Sequence, residues 1–326
     1  MECKSTIKMM KRLPIKNKLL LLFIFLCMLN SVKAQTEIDG IMMEKNAFCL
    51  GPMYGYSSWK NYWEGELKRE NLNLGTVSTS MFSVMGNYGI NSKWNVLFGL
   101  PYIKTEASAG QLAGQEGLQD LSLWLKWKAY SKKLGEGRLS LFAIGGVSFP
   151  VSDYTADLLP LSIGLKSTNL TLRAMGDYQL DKWFATVSAA YVLRSNVELD
   201  RTAYYTTEMH YTNEVEMPDA ASFNLRLGYR NNGIIAEAIA DNWTTLGGYD
   251  IPRNGMPFPS NRMNATRIGL NIKYPVLFKR QLSLIGGAMT TVAGRNVGQS
   301  TGFNAGIFYV LDLSPKKKTD SDKSKN

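Results

Sequence analysis

Histidine occurs once in this 326-residue chain, at position 210. That scarcity excludes most histidine-ligated metal centres and every catalytic constellation needing two histidines. Cysteine occurs three times. Cys3 and Cys27 lie in the first 34 residues, so the body retains only Cys49 and cannot form an internal disulfide. No later segment holds eighteen consecutive apolar residues, so no transmembrane helix is expected. Helix-bundle composition is missing as well: Gly (29), Tyr (16) and Trp (7) are plentiful and Ala, Glu, Leu and Lys do not dominate. The net charge of +10 suggests a polyanionic partner, but it sits at the ends. Seven Lys/Arg against one acid lie in 1–34, and five Lys against two Asp lie in 315–326, leaving the body at about +1. A near-neutral body has no electrostatic footprint for nucleic acid. No GxSxG, HExxH, CxxC or phosphate-binding loop occurs, so no catalytic residue, cofactor or metal is assigned and no enzymatic activity is expected. His210 lies in the stretch Glu208-Met209-His210-Tyr211-Thr212-Asn213 without a partnering motif and reads as a solvated loop residue.

What is present begins with an address. Lys4, Lys8, Lys11, Arg12, Lys16 and Lys18 form a positive region, Leu19 to Leu29 an apolar run, and Val32-Lys33-Ala34 a cleavage site. This is the pattern of a secretory signal peptide over 1–34, cleaved after Ala34. Leu26 before Cys27 is bulky where lipoprotein acylation needs a small residue, which argues against a lipid anchor.

The rest of the chain repeats a period of two. Leu121, Leu123, Leu125 and Trp127 fall on one face, and Ser122, Trp124, Lys126 and Lys128 on the other. The same alternation recurs in 170–180, 223–230 and 303–313. It predicts twelve strands, near 46–58, 76–90, 93–104, 118–131, 138–149, 167–180, 183–194, 220–230, 233–244, 263–275, 281–293 and 301–313. Connections after odd strands are mostly long and those after even strands short, such as Asp181-Lys182 and Asn231-Asn232. Tyr88, Trp127, Tyr178, Tyr229, Tyr274 and Tyr309 lie outward near the short-turn ends of the even strands, with Trp94 and Trp183 at matching starts. A soluble β-sandwich shows the same alternation, with its apolar face inward. The leader, the long strands, the segregated loops and the level aromatic ring together favour an antiparallel up-and-down transmembrane β-barrel in the outer membrane of a Gram-negative cell. The expected division is a short periplasmic segment at 35–45, the barrel at 46–313, and a basic, disordered periplasmic tail at 314–326.

The inward face carries Lys126, Lys128, Arg173, Arg226, Arg230, Arg267 and Lys273 against Asp177, Glu237, Asp241 and Asp312. Two readings stand: an interior network of paired charges, or a channel lining with mild anion preference. Lys126, Arg173, Asp177, Arg226, Glu237, Asp241 and Arg267 are the lumen candidates. Two connections are unusually apolar: 154–165, with Leu158, Leu159, Leu161 and Ile163, and 251–259, with Ile251, Met256 and Phe258. They are expected to fold into the barrel mouth or to line a greasy capture site, with Leu158, Leu159, Leu161, Ile163 and Phe258 as candidates. The first long connection, with Trp59, Tyr62, Trp63, Glu64, Glu66, Lys68, Arg69 and Glu70, reads as a solvated rim with aromatic anchors. Phe142, Ile144, Phe184 and Phe308 point inward, and a lumen filled by them argues against free diffusion.

Three short motifs carry a resemblance. Gly99-Leu100-Pro101-Tyr102 ends a strand, Gly117-Leu118-Gln119-Asp120-Leu121 opens the next, and Gly146-Val147-Ser148-Phe149-Pro150 closes the one after. Over about 93–151 the chain resembles the outer-membrane proteins known as phenol-degradation meta-pathway transporters, relatives of the long-chain fatty-acid and aromatic-hydrocarbon channels. The resemblance implies a non-enzymatic barrel in outer-membrane lipid, moving small hydrophobic molecules, aromatic or fatty-acid-like. A passive aqueous channel and a non-conducting structural barrel are the alternatives. The chain departs from the fatty-acid channels in having twelve strands rather than fourteen. Its segment Gln35 to Lys45 is also too short for their N-terminal hatch, which argues against a hatch-gated lateral route.

Overall fold

The computed structural model describes residues 36–253, 255–276 and 281–315. The leader with its cleavage position, and the tail from 316 onward, lie outside the described residues. Twelve long strands form the wall: β1 Ala47–Trp59, β2 Val77–Gly89, β3 Trp94–Ala107, β4 Asp120–Leu134, β5 Gly137–Pro150, β6 Asn169–Leu180, β7 Trp183–Arg194, β8 Ala220–Asn231, β9 Ile234–Thr245, β10 Asn264–Pro275, β11 Leu282–Arg295 and β12 Thr301–Asp312. Each pairs antiparallel with its sequence neighbours, and β1 also pairs with β12, Cys49 opposite Val310 and Tyr56 opposite Phe303, which closes the barrel.

The wall is inside-out relative to a water-soluble sheet. Leu123, Leu125, Leu170, Leu172, Phe223, Leu227, Ile268, Leu270, Phe303 and Ile307 are exposed on its outer face. Lys126, Asp177, Thr186, Ser188, Asn224, Arg226, Glu237 and Lys273 are buried on its inner face. A sandwich would bury the first set, whereas a bilayer solvates it and closure leaves no unpaired edge in the hydrocarbon. The aromatics at the short-turn end meet in pairs: Trp94 stacks on Trp127 with ring centroids 5.5 Å apart, and Trp183 meets Tyr229 edge-on at 5.7 Å.

The tight turns are the ones their residues permit. Asn232 (φ 50) and Gly233 (φ 83) link β8 to β9, one residue later than the expected Asn231-Asn232 turn. Two successive left-handed positions suit Asn-Gly, because glycine has no Cβ to clash and asparagine tolerates that region. Gly135 (φ 61) similarly carries the β4–β5 turn, so both strands run farther than the sequence pattern suggested.

The β3–β4 seam is irregular. β3 pairs with β4 only from Trp94 to Gly99, and the short strand Glu116–Leu118 then takes over opposite Tyr102–Lys104. Pro101 offers no N–H, and its carbonyl instead accepts the Gln119 N–H at 2.9 Å. The expected single strand from 118 is therefore stepped at Gln119.

The long connections carry structure that the sequence reading left as loop. Asn61–Glu64 pairs with Leu67–Glu70, Val197–Glu198 with Glu214–Val215, and Tyr204–Tyr205 with Met209–His210. Trp63 in the first hairpin is buried, as an aromatic anchor is, while Lys60, Glu66, Lys68 and Glu70 around it are exposed.

The largest departure concerns the N-terminal segment. Expected outside the barrel, residues 36–43 sit in its lumen. Ile41 packs on Phe184 and Ile235, Met42 on the cluster of Phe142, Ile144 and Met175, and Met43 on Cys49 and Phe308, all lumen-facing. Three consecutive apolar residues gain more from that interior than from water, which is the physical reason the segment turns inward.

Candidate functional site

The lumen is filled from both ends. At the short-turn end, Lys126 on β4 is fully buried and reaches back to the N-terminal segment. Its Nζ donates to the carbonyl oxygens of Thr36 (3.1 Å) and Asp39 (2.5 Å) and lies 3.2 Å from Asp39 Oδ1. Asp39 also accepts the backbone N–H of Thr36 (2.6 Å) and of Ile41 (3.1 Å), which bends the segment into a turn. The backbone at Gly40 then passes so close to Asp177 that an added Cβ would lie 2.0 Å from its Oδ1.

At the opposite end the connection 154–165 folds into the mouth. Leu161 is buried against Leu74 and Val77, and its carbonyl accepts the Thr105 hydroxyl at 2.5 Å. Ile163 and Tyr154 pack on Ile103, with Met81 beneath. Burial pushes the Tyr154 hydroxyl pKa well up, reinforced by the neighbouring Asp120 carboxylate. Leu161 and Ile163 are thus committed to packing, while Leu158 and Leu159 are half-buried. Phe258, in the other apolar connection, stacks on Tyr204 at 5.3 Å with the Arg201 guanidinium 5.8 Å from its ring. His210 is not simply solvated. It stacks on Tyr204 at 4.8 Å and its Nε2 lies 2.9 Å from Thr206 Oγ1. Burial also pushes Tyr249 in this region up to about 12. The rim is clasped by Asp250, whose carboxylate accepts from Arg295 Nε (2.8 Å) and Nη2 (2.7 Å) and from Asn296 Nδ2 (2.7 Å). The Arg295 hydrogen bonds, aided by Asn296, hold its pKa down at about 2.

Between the ends, the lumen charges pair with one another. Arg226 meets Glu237 at 2.6 Å and donates its Nε to Asn224, while Asn271 donates to the same Glu237 oxygen at 3.0 Å. Arg267 meets Asp241 at 2.5 Å, and Asn224 donates to the other Asp241 oxygen at 3.1 Å. Asp177 accepts from Thr186 at 2.5 Å and faces Arg230 at 3.3 Å. Arg173 stands apart: its Nη1 donates to Ser188 at 3.1 Å, its Nε has no partner, and no carboxylate among the described residues lies within ion-pair distance. Asp312 does not join this set; it is exposed at the end of β12 and accepts the Ser314 N–H. The paired-network reading therefore describes most of the charged face.

The sequence reading missed the opposite face. Met53 on β1 and Met81, Ser83 and Met85 on β2 occupy the inward positions, with Met53 directly opposite Ser83. They border a cavity of about 270 Å³ that extends to Leu97, Trp124 and Phe308. A second cavity of about 250 Å³ lies toward Arg226, Glu237 and Lys273. Methionines at alternate positions on a face that elsewhere carries Thr, Asn and charge were the available signal. Phe142, Ile144, Phe184 and Phe308, expected inside, are all buried there. A broader groove of about 930 Å³ runs along the wall past Trp94, Trp127, Gly145, Leu172 and Phe223. Its outward apolar lining is what contact with lipid requires. Among the described residues no group of three His, Cys, Asp or Glu converges on a common point.

Comparison with known proteins supplies the family. The model of the family described as "Putative MetA-pathway of phenol degradation" matches residues 74–307. No curated protein sequence matches the chain. Among solved structures, an outer membrane channel from Pseudomonas putida F1 superposes with a TM-score of 0.67 at 16% identity, covering 86% of this chain and 100% of that one. The translocator domain of the autotransporter NalP from Neisseria meningitidis gives 0.46 at 12% identity over 83% of this chain and 90% of that one. The first of these carries the same closed barrel fold. The family match covers well over half of the sequence, and the chain belongs to the MetA-pathway phenol-degradation family.

Proposed function

We propose that this protein is an outer-membrane channel that passes small hydrophobic molecules into the Gram-negative cell envelope. The observation that supports this reading most is the character of the space left inside. Both ends of the lumen are filled by packed apolar side chains, and the cavity of about 270 Å³ is lined mainly by methionine, leucine, tryptophan and phenylalanine, with Glu37, Ser83, Asn87 and Ser122 as its polar members. Such a mainly apolar lining favours apolar solutes over strongly hydrated ones, whose lost water contacts its few polar groups only partly replace. In this reading the signal peptide is removed after Ala34, and both termini and the short turns face the periplasm. The half-buried Leu158 and Leu159 then meet cargo at the outer mouth.

The paired charges on β8, β9 and β10 support a second reading, a narrow water-filled path along the polar side of the lumen. The test that separates the two removes residues 154–165 and measures uptake of an apolar fluorescent probe by cells expressing the chain. The proposal expects altered uptake of the apolar probe with little change for a small sugar. Unchanged apolar uptake would sink the role assigned to this connection.

A further inference from the structure

The seat of residues 36–43 is built around a cation that the barrel wall does not satisfy. Lys126 on β4 is fully buried. Its acceptors among the described residues are Thr36 O, Asp39 O and Asp39 Oδ1, all of them on the segment. The wall offers the ammonium the Phe142 ring, 5.4 Å away. A buried ammonium needs oxygen partners, so a seat vacated by the segment gains by taking up another anion.

The wall grips the segment through side chains. No backbone–backbone hydrogen bond among the described residues joins 36–43 to a strand. The hold consists of the Lys126 contacts and the packing of Ile41, Met42 and Met43. Withdrawal of the segment therefore breaks no strand ladder.

Charge points to what replaces it. The inward wall carries seven cations, from Lys126 on β4 to Lys273 on β10, against Asp177, Glu237 and Asp241, an excess of four positive charges. Glu37 and Asp39 of the segment halve that excess. Arg173 has no carboxylate within ion-pair distance among the described residues even with the segment in place, and donates to Ser188 instead. The cavity of about 250 Å³ adjoins the seat: Thr36, Asp39 and Ile41 of the segment border it, together with Arg226, Arg230 and Lys273 of the wall. The segment thus lodges two carboxylates, two residues apart, in a cationic lumen, and one of them meets the buried ammonium directly.

We infer that the Lys126 seat is a binding site for small dicarboxylates, that Glu37 and Asp39 fill it as a built-in substitute for such a ligand, and that the lumen with the segment withdrawn prefers anions. This goes beyond the passage of apolar molecules and does not depend on it.

The test begins with a chain lacking residues 36–43, refolded in a planar bilayer under a KCl gradient. Its reversal potential should show chloride passing at least about twice as readily as potassium. Succinate should block that current, and its neutral counterpart succinamide should not. Adding Lys126→Met weakens the succinate block at least about ten-fold, the effect of a lost charge-assisted hydrogen bond. A second measurement needs no deletion. In the full barrel carrying Thr36→Cys, maleimide labelling reports withdrawal of the segment, and the parent chain with its buried Cys49 gives the blank. Succinate binds only the vacated seat, so it should speed labelling, while succinamide in buffer of matched ionic strength should not. Potassium preference, a succinate block indifferent to Lys126→Met, or labelling unmoved by succinate overturns the inference. None of these results bears on toluene uptake, which tests the apolar route separately.

Discussion

Replacing Lys126 by Met should unseat the N-terminal segment. The side chain keeps its length and apolar stem, but the ammonium is lost, and with it the contacts to Thr36 O, Asp39 O and Asp39 Oδ1. Breaking a buried ion pair by removing one partner costs about 3–5 kcal/mol. Asp39 keeps the N–H groups of Thr36 and Ile41, which places the loss near the lower end of that range. About 3 kcal/mol changes the ratio of seated to unseated segment roughly a hundred-fold. The apolar grip of Ile41, Met42 and Met43 remains, so release is partial rather than complete. The assay is conductance of the refolded barrel in a planar bilayer. A chain lacking residues 36–43 sets the upper limit, and the parent chain should be quiet by comparison. Lys126→Met should give intermediate, flickering steps. Parent-like silence from both the variant and the deletion, with folding demonstrated, refutes the idea that this segment fills the conducting path.

The remaining predictions concern the lumen network, the rim and the lone histidine. Glu237→Leu strands the Arg226 guanidinium in the lumen and should cost about 3–5 kcal/mol, seen as a lower temperature for loss of the folded band in SDS gels. Adding Arg226→Met should recover most of that loss, and failure to recover would mean the pair is not the relevant unit. The Asp250 clasp has a carboxylate pKa of about 2, below its ordinary 3.8. Its contribution is therefore complete above pH 4 and lost as pH falls through about 2. Amide exchange around 249–251 and 294–297 should be unchanged between pH 6 and 4, once corrected for intrinsic rates, and rise near pH 2. Loosening already at pH 4 would contradict this. His210→Ala should remove a stacking contact on Tyr204 and leave uptake unchanged. Loss of a measurable activity would revive a catalytic role.

Much of the wall was legible because a bilayer and a narrow lumen impose opposite chemistry on alternate residues. Leu123, Leu125 and Trp127 face outward while Lys126, between them in sequence, faces inward, the alternation that a strand between lipid and lumen requires. The tyrosines and tryptophans marked the interface for the same reason. Turn chemistry was readable to within a residue, as at Asn232-Gly233, where the left-handed backbone chose the glycine. The segment at 36–43 was not legible, since its length and position suggested a short periplasmic segment, and only contact with the closed barrel gives Ile41 and Met43 somewhere to be buried. The pairing of Arg226 with Glu237 and of Arg267 with Asp241 is a cross-strand relation that inward charge alone did not specify. The methionine face escaped notice because Met53, Met81 and Met85 come from two strands and converge only in register. Local hairpins such as Tyr204–Tyr205 with Met209–His210 are too short to leave a periodic trace.

The central claim, passage of small apolar molecules, is tested most directly by comparing rates of uptake of radiolabelled toluene and radiolabelled arabinose in Gram-negative cells with and without the protein in the outer membrane. The account predicts faster toluene uptake and an arabinose rate indistinguishable from control cells. Equal acceleration of both solutes, or of arabinose alone, would contradict it and make the barrel an aqueous pore.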